Sequence, residues 1–249
     1  MAEGQVVLVL GATGGVGSAL TKQLAADGVR VVAGARNEAA LHALREQVGE
    51  LPTVKVDVTD SAQVDQAVAF AKDKGGGHLD GLVNCAGTFA LKPLHLVRDE
   101  DFEHDLSVNL RSSFYALRAA VRAMDRERGG SVVMMSSAAA RFGIPSHESI
   151  ASAKAGVVGL MLSAAATYAS DNIRVNAVAP GLLDTKLTTS VTSNKAVAEA
   201  SQNMHPLHKF GQPAQVARMI AFLLDKRNDF ITGQIFGIDG GLATLRAKR

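Results

Sequence analysis

Three side chains able to do acid–base or hydrogen-bonding chemistry crowd one stretch of this sequence. Ser137 lies in "MMSSAAARFGIP", and His147 and Lys154 lie in "SHESIASAKAGVVGL". A serine hydroxyl can hold a substrate oxygen, and a lysine ammonium supplies a positive charge with three donors. An imidazole, with an ordinary pKa of about 6.5, gives or takes a proton near neutrality. His147 precedes Ile150 by one helical turn and Lys154 follows it by another, so a helix would put all three positions on one face. Ile150 is aliphatic and can neither donate nor accept a proton. Glu148, two residues before Ile150, should face elsewhere and reads as a helix-start carboxylate complementing the dipole.

A second patch of chemistry opens the chain, in "VVLVLGATGGVGSAL". Gly11 permits a tight turn, Gly15 lets backbone approach a pyrophosphate, and Gly17 lets helix and strand pack closely. With Thr13, Gly14 and Val16 between them, these residues lead into a helix N-terminus whose free N–H groups and dipole favour phosphate. A dinucleotide is the implied ligand, and the end of the second strand addresses which one. "VVAGARNEAAL" offers Ala35 and then Arg36, with no carboxylate to accept from ribose hydroxyls. A guanidinium grips a 2′-phosphate through two parallel hydrogen bonds, so NADP(H) is favoured over NAD(H).

Such a site needs strands that end where these residues begin. The expected strands are Val6–Leu10, Val29–Gly34, Val54–Val58, Leu79–Asn84, Ser131–Ser136, Ile173–Ala179 and Gln234–Asp239. Several are apolar almost throughout, as strands buried on both faces of a parallel sheet are. Helical segments alternate with them: "SALTKQLAADG", "NEAALHALREQVG" with an asparagine N-cap, "DSAQVDQAVAFAKDK", Glu100–Met124 and Ser149–Ala169. The rhythm predicts an α/β fold, a Rossmann-like doubly wound parallel sheet of about seven strands with helices on both faces. A single domain over 1–249 is expected. The polar segment 185–212 breaks the rhythm and is read as a substrate lid.

With these elements in place, the chain resembles the short-chain dehydrogenase/reductase family over nearly all its length. Gly11, Gly15 and Gly17 match the family's glycine motif, although Leu10 stands where a threonine is common. "DVTD" puts Asp57 and Val58 where the family contacts adenine. "VNCAG" keeps Asn84, Ala86 and Gly87, with Cys85 replacing an asparagine. Asn109 in "SVNL" matches the helix asparagine that organises a proton-relay water. "IRVNAVAPGLLDT" matches the strand and the turn, with Pro180, Gly181, Leu183 and Thr185, that hold the nicotinamide end.

The resemblance implies a catalytic tyrosine four residues before Lys154, and Ile150 stands there. In the family the tyrosine exchanges a proton with the substrate oxygen, the serine holds that oxygen, and the lysine steadies the phenolate and the nicotinamide ribose. Here Ser137, Lys154 and Asn109 are kept, and acid–base catalysis worth roughly 10²–10⁴-fold loses its usual donor. Tyr168 cannot substitute: it is some 18 residues on along the same helix, roughly 27 Å at 1.5 Å per residue. Tyr115 occupies a packing position. His147 is therefore the candidate donor, with water or a non-catalytic pocket role as alternatives.

Two functions fit. One is an NADP(H)-dependent reductase or dehydrogenase acting on a carbonyl/alcohol pair; the other is a dinucleotide-binding protein with little or no turnover, a sensor or an assembly subunit. His205 and His208 lack the acidic or thiol companions of a metal site, and Cys85 reads as a small packed side chain. The 249 residues are 47% hydrophobic and 20% charged, with net charge +2, which argues against disorder and gives no nucleic-acid footprint. One cysteine allows no internal disulfide, no signal peptide is evident, and no apolar stretch is read as reaching membrane-span length, so a cytoplasmic protein is expected. The basic tail "TLRAKR" reads as a solvated end. The small and apolar residues around Ser149–Ala169 exceed one buried face, and the resemblance implies a homodimer or homotetramer acting on a small-molecule substrate.

Overall fold

The computed structural model describes residues 4–246; Met1–Glu3 and the last three residues of the basic tail lie outside the described residues. Seven strands, β1 (Val6–Leu10), β2 (Arg30–Ala35), β3 (Thr53–Lys55), β4 (Gly81–Asn84), β5 (Gly130–Met135), β6 (Ile173–Pro180) and β7 (Ile235–Ile238), form one sheet in the order 3-2-1-4-5-6-7. All pairings are parallel. β1 is apolar at every position because it is buried on both faces: Val6, Leu8 and Leu10 join one core, Val7 and Val9 the other.

The helices between the strands are α1 (Gly15–Ala26), α2 (Glu38–Val48), α3 (Ser61–Lys74), α4 (Asp99–Asp105), α5 (Ser112–Ala123), α6 (Glu148–Tyr168), α7 (Thr189–Thr192), α8 (Lys195–Met204) and α9 (Pro213–Leu224). Their ends follow local chemistry. Asn37 caps α2 by accepting from the Ala40 N–H, and Asp60 caps α3 by accepting from those of Ala62 and Gln63. Pro213 opens α9 at a position with no N–H to satisfy. Residues of α1, α2 and α9 cover one face of the sheet, and those of α3, α5 and α6 cover the other.

Three expectations change, and one segment gains detail. Strand β3 stops at Lys55 instead of running to Val58, because Asp57 turns back to bind Thr59. The stretch 100–124 is not one regular helix; a π-helical turn over Leu106–Arg111 separates α4 from α5. The segment 185–212, expected to be a substrate lid, carries α7 and α8. Finally, Glu148–Asp171 is long and apolar enough, by length and composition, to cross a membrane. One face of it packs against the sheet, burying Ala153, Lys154, Val157 and Met161.

Candidate active site

The strand order reverses between β1 and β4, and a cleft of about 940 Å³ opens at the carboxyl ends of the strands there. This crevice is where open α/β sheets bind ligands. Gly11 ends β1 with φ +71°, and a Cβ on it would lie 2.6 Å from the Ala86 backbone nitrogen. Gly17 has no room for a side chain against the Gly11 carbonyl, which joins α1 to the strand end. Gly15 is required for a reason the sequence did not disclose: its added Cβ would meet Thr185 Cγ2 at 2.7 Å.

Gly11, Thr13, Gly14, Gly15 and Val16 line the cleft, and Gly14, the N-cap of α1, supplies no side-chain cap. The first amides of α1 therefore have no side-chain competitor for an anion. Arg36 is exposed at the cleft wall, beside Asp57 and Val58. The Thr59 amide and hydroxyl, donating to Asp57 Oδ1 at 2.9 and 2.7 Å, hold that carboxyl below its ordinary pKa. Ala86, Gly87, Pro180, Gly181, Leu183 and Thr185 also line the cleft. Asn84 and Gly17 do not: Asn84 is buried behind the wall, donating to Ser112 Oγ at 2.9 Å and accepting from the Ala86 N–H. Two of the expected cofactor residues thus support the cradle from behind. These features fit a dinucleotide: an uncapped helix start, glycines at close approaches, and a cation in place of a carboxylate past β2.

Ser137, His147, Ile150, Lys154 and Asn109 line the same cleft. Ser137 Oγ accepts from the Ala139 N–H at 3.2 Å, leaving its own proton for a substrate oxygen. Lys154 is buried and donates from Nζ to the Met135 carbonyl at 2.9 Å. Burial pushes its pKa down to about 8, against the attraction of Cys85 and Asp105. Burial likewise pushes the Cys85 thiol up to about 12, so that sulfur is a protonated packing group. Ile150 is 4% exposed and forms apolar cleft wall four residues before Lys154.

His147 sits at the N-cap of α6, with Nδ1 2.8 Å from the Pro145 carbonyl oxygen. A carbonyl only accepts, so Nδ1 carries the proton and Nε2 of the neutral ring is an acceptor. Tyr115 and Tyr168 pack at the margin of the core and neither lines the cleft. His205 also lines it, held as one tautomer between the Ser201 carbonyl at 2.8 Å and the Leu182 N–H at 3.3 Å, which ties the end of α8 to the loop after β6. No group of three or more possible metal ligands occurs among the described residues.

The sequence reading missed a buried polar cluster behind this wall. Asp105, 2% exposed, accepts from Thr88 Oγ1 and from Ser149 Oγ, each at 2.6 Å. Asn109 Nδ2 donates to Thr88 Oγ1 at 2.6 Å and to the Asp105 carbonyl at 3.0 Å, while its Oδ1 accepts from the Thr88 N–H at 3.2 Å. The π-turn brings this about by following Asp105 directly and carrying Asn109, and such turns recur at functional sites. An acidic residue four positions before Asn109, in a stretch of apolar spacing, was the available signal.

Comparison with known proteins follows the same lines. A family model described as Enoyl-(Acyl carrier protein) reductase matches residues 11–243. The chain is 38% identical over 245 residues to the 3-oxoacyl-(acyl-carrier-protein) reductase FabG of Thermotoga maritima, covering 96% of this chain and 98% of that one. It is 33% identical to the 3-oxoacyl-(acyl-carrier-protein) reductase MabA of Mycobacterium bovis, over 95% and 92% of the two chains. Among solved structures, levodione reductase is similar at TM-score 0.93 and 30% identity, with 99% of this chain and 100% of that one covered. A short-chain type dehydrogenase/reductase from Mycobacterium ulcerans is similar at TM-score 0.93 and 29% identity, covering 98% and 92%.

Proposed function

The chain belongs to the short-chain dehydrogenase/reductase family, and from that premise we propose that it is an NADP(H)-dependent reductase of 3-oxoacyl-type carbonyls, transferring hydride between the nicotinamide and a carbonyl/alcohol pair. The observation that carries the reading is that Ser137, Lys154 and Asn109 line one cleft with an uncapped, glycine-lined helix start. The names of the curated relatives support the 3-oxoacyl class. So does the apolar character of the cleft away from the glycine turn, where Phe89, Leu91, Ile144, Leu187 and Val197 offer an acyl chain nonpolar surface.

When bound, the nicotinamide supplies or receives the hydride at the substrate carbon. The chain's own residues do the rest. The α1 N-terminus and glycine turn hold the pyrophosphate, and Arg36 takes the 2′-phosphate, favouring NADP(H) over NAD(H). Lys154, charged below pH about 8, holds the ribose next to the nicotinamide. Ser137 donates to the substrate oxygen and polarises the carbonyl. Ile150 takes the position of the family's tyrosine, so the proton must come from another group on the wall. His147 can take a proton at Nε2 in alcohol oxidation, and can give one there only as an imidazolium. The segment 185–212 closes over the substrate. We further propose a cytoplasmic homodimer or homotetramer, joined in part through the apolar surface of α6, where Leu162 is exposed.

The test is to mix the protein with NADPH, follow binding by fluorescence, and watch the nicotinamide absorbance with 3-oxoacyl thioesters and other carbonyls. Consumption of NADPH is expected. One observation favours a second reading: the aliphatic side chain at Ile150 suits a dinucleotide-binding sensor or assembly subunit. Tight binding with no consumption across a broad carbonyl panel would establish that reading instead.

A further inference from the structure

We infer that Thr88 and Asp105 form the proton path of this site, Thr88 exchanging a proton with the substrate oxygen and Asp105 exchanging one with Thr88 from behind the wall. The inference rests on the oxidoreductase reading above and names the group that replaces the missing hydroxyl.

The two most deeply buried carboxylates among the described residues, Asp80 and Asp105, are treated very differently. Asp80, 1% exposed, is surrounded by Lys226 at 2.6 Å, Arg128 at 3.1 Å and His78 at 3.4 Å, and accepts the Val6 N–H at 2.8 Å. That is how a structural buried charge is stabilised. Asp105 has no such partner: among the described residues no cation lies within ion-pair distance, and its carboxyl oxygens meet the hydroxyls of Thr88 and Ser149. A buried carboxyl held by neutral hydroxyls, with the Lys154 charge near but not in contact, is less firmly compensated than Asp80. It is a good proton partner, because each hydroxyl can donate to the carboxylate or accept from the carboxylic acid.

Thr88 is the link to the cleft. It lines the cleft with Ser137, His147 and Ile150. Asn109 Nδ2 occupies one lone pair of Thr88 Oγ1 and Asp105 Oδ1 lies on the other side, both at 2.6 Å, so the hydroxyl has an assigned acceptor role and an assigned proton partner. Ser149 anchors Asp105 Oδ2 from the residue next to Ile150, tying the carboxyl to the same turn of α6. His147, by contrast, has its one neutral-state proton on the Pro145 carbonyl, a group that holds no proton to return.

The step balances in both directions. In reduction, hydride adds to the carbonyl carbon and the substrate oxygen takes the Thr88 hydroxyl proton. Thr88 Oγ1 regains a proton through the Asp105 carboxyl, which takes its replacement from water. In oxidation the alcohol proton passes to Thr88 Oγ1 while the Thr88 proton moves to Asp105 Oδ1 and the hydride leaves the carbon.

The experiment compares Asp105→Asn, Thr88→Val, Thr88→Ser and His147→Ala with the wild-type enzyme in NADPH-dependent carbonyl reduction. Asp105→Asn and Thr88→Val are each expected to lower kcat by roughly 10²–10⁴-fold, the worth of general acid catalysis. NADPH affinity should stay within about twofold. Thr88→Ser, which keeps the hydroxyl, should restore most of the rate; a merely structural Thr88 would instead miss its methyl. A second readout needs no turnover. Proton NMR of the wild type should show slowly exchanging low-field hydroxyl resonances, one lost in Thr88→Val and another in Ser149→Ala, with both displaced in Asp105→Asn. Wild-type kcat in Asp105→Asn, with His147→Ala carrying the loss, would overturn the proton path and leave the oxidoreductase reading standing. A wild-type protein that binds NADPH and reduces nothing would overturn both.

Discussion

Gly15, at the head of α1, and Thr185, at the root of the lid, touch so closely that a methyl on Gly15 would lie 2.7 Å from Thr185 Cγ2. The glycine turn and the start of the segment 185–212 are therefore in direct contact. Turning the Thr185 side chain away would break the contact of its Oγ1 with Thr188 Oγ1 at 3.2 Å. Gly15→Ala is expected to displace the lid root, raising both the NADPH Kd and the substrate KM by about tenfold or more, while the melting temperature moves little. Unchanged substrate KM with weakened NADPH binding would show that the glycine serves the cofactor alone.

Arg36 gives the test of cofactor choice. Truncating a charged hydrogen-bonding group costs about 1.5–3 kcal/mol, or roughly ten- to a hundredfold in affinity. Arg36→Ala should weaken NADPH by that factor and leave NADH within about threefold. Equal losses for both cofactors would remove the 2′-phosphate assignment.

Lys154 makes the site sensitive to alkali. Its amine, held down to about 8 by burial, loses its charge as pH rises through that value, so the free enzyme should capture NADPH less well above pH 8. The pH profile of kcat/KM for NADPH should show this break, and Lys154→Met should abolish it. The sign for stability is opposite. Between pH 8 and the ordinary lysine value near 10.4 the unfolded chain binds the extra proton, so this group makes the cofactor-free fold more stable as pH rises. Thermal melts across that window check it.

Asp80 should behave as a structural anchor. Burial works to raise its pKa, but Lys226, the Val6 amide and Arg128 together outweigh burial and hold it below the ordinary carboxylate range. Its contribution is then present above pH about 4 and is lost as pH falls through the depressed value. Removing one partner of a buried charge cluster costs roughly 3 kcal/mol, so Asp80→Ala should lower the melting temperature by about 6–12 °C. NADPH affinity per folded molecule should be unaffected.

Much of this site could be read from the sequence because its parts are local. Glycines between a strand and a helix, an arginine past β2, and Ser137 and Lys154 near one another in the chain all declare themselves through short-range rules. The Asp105 cluster did not, because it joins residues from three separated segments, Thr88, Asp105 with Asn109, and Ser149, and no spacing rule links them. The π-turn that aligns them is a departure from regular helix that a periodicity of 3.6 cannot announce. Gly15 was read for its freedom toward a ligand, whereas the contact that demands it comes from Thr185, far along the chain. Likewise, Asp57 interrupts a run of valines whose apolar pattern continues past the end of β3.

The strand order has a consequence for how this protein is made. β1 occupies the middle of the sheet, pairing with β2 on one side and β4 on the other. During synthesis β1, β2 and β3 emerge first and can assemble, but the second edge of β1 has no partner until β4 follows. An apolar strand with an unpaired edge is a template for wrong pairing. The nascent chain is most prone to aggregate in that interval, and slowing translation before β4 should lengthen the exposure.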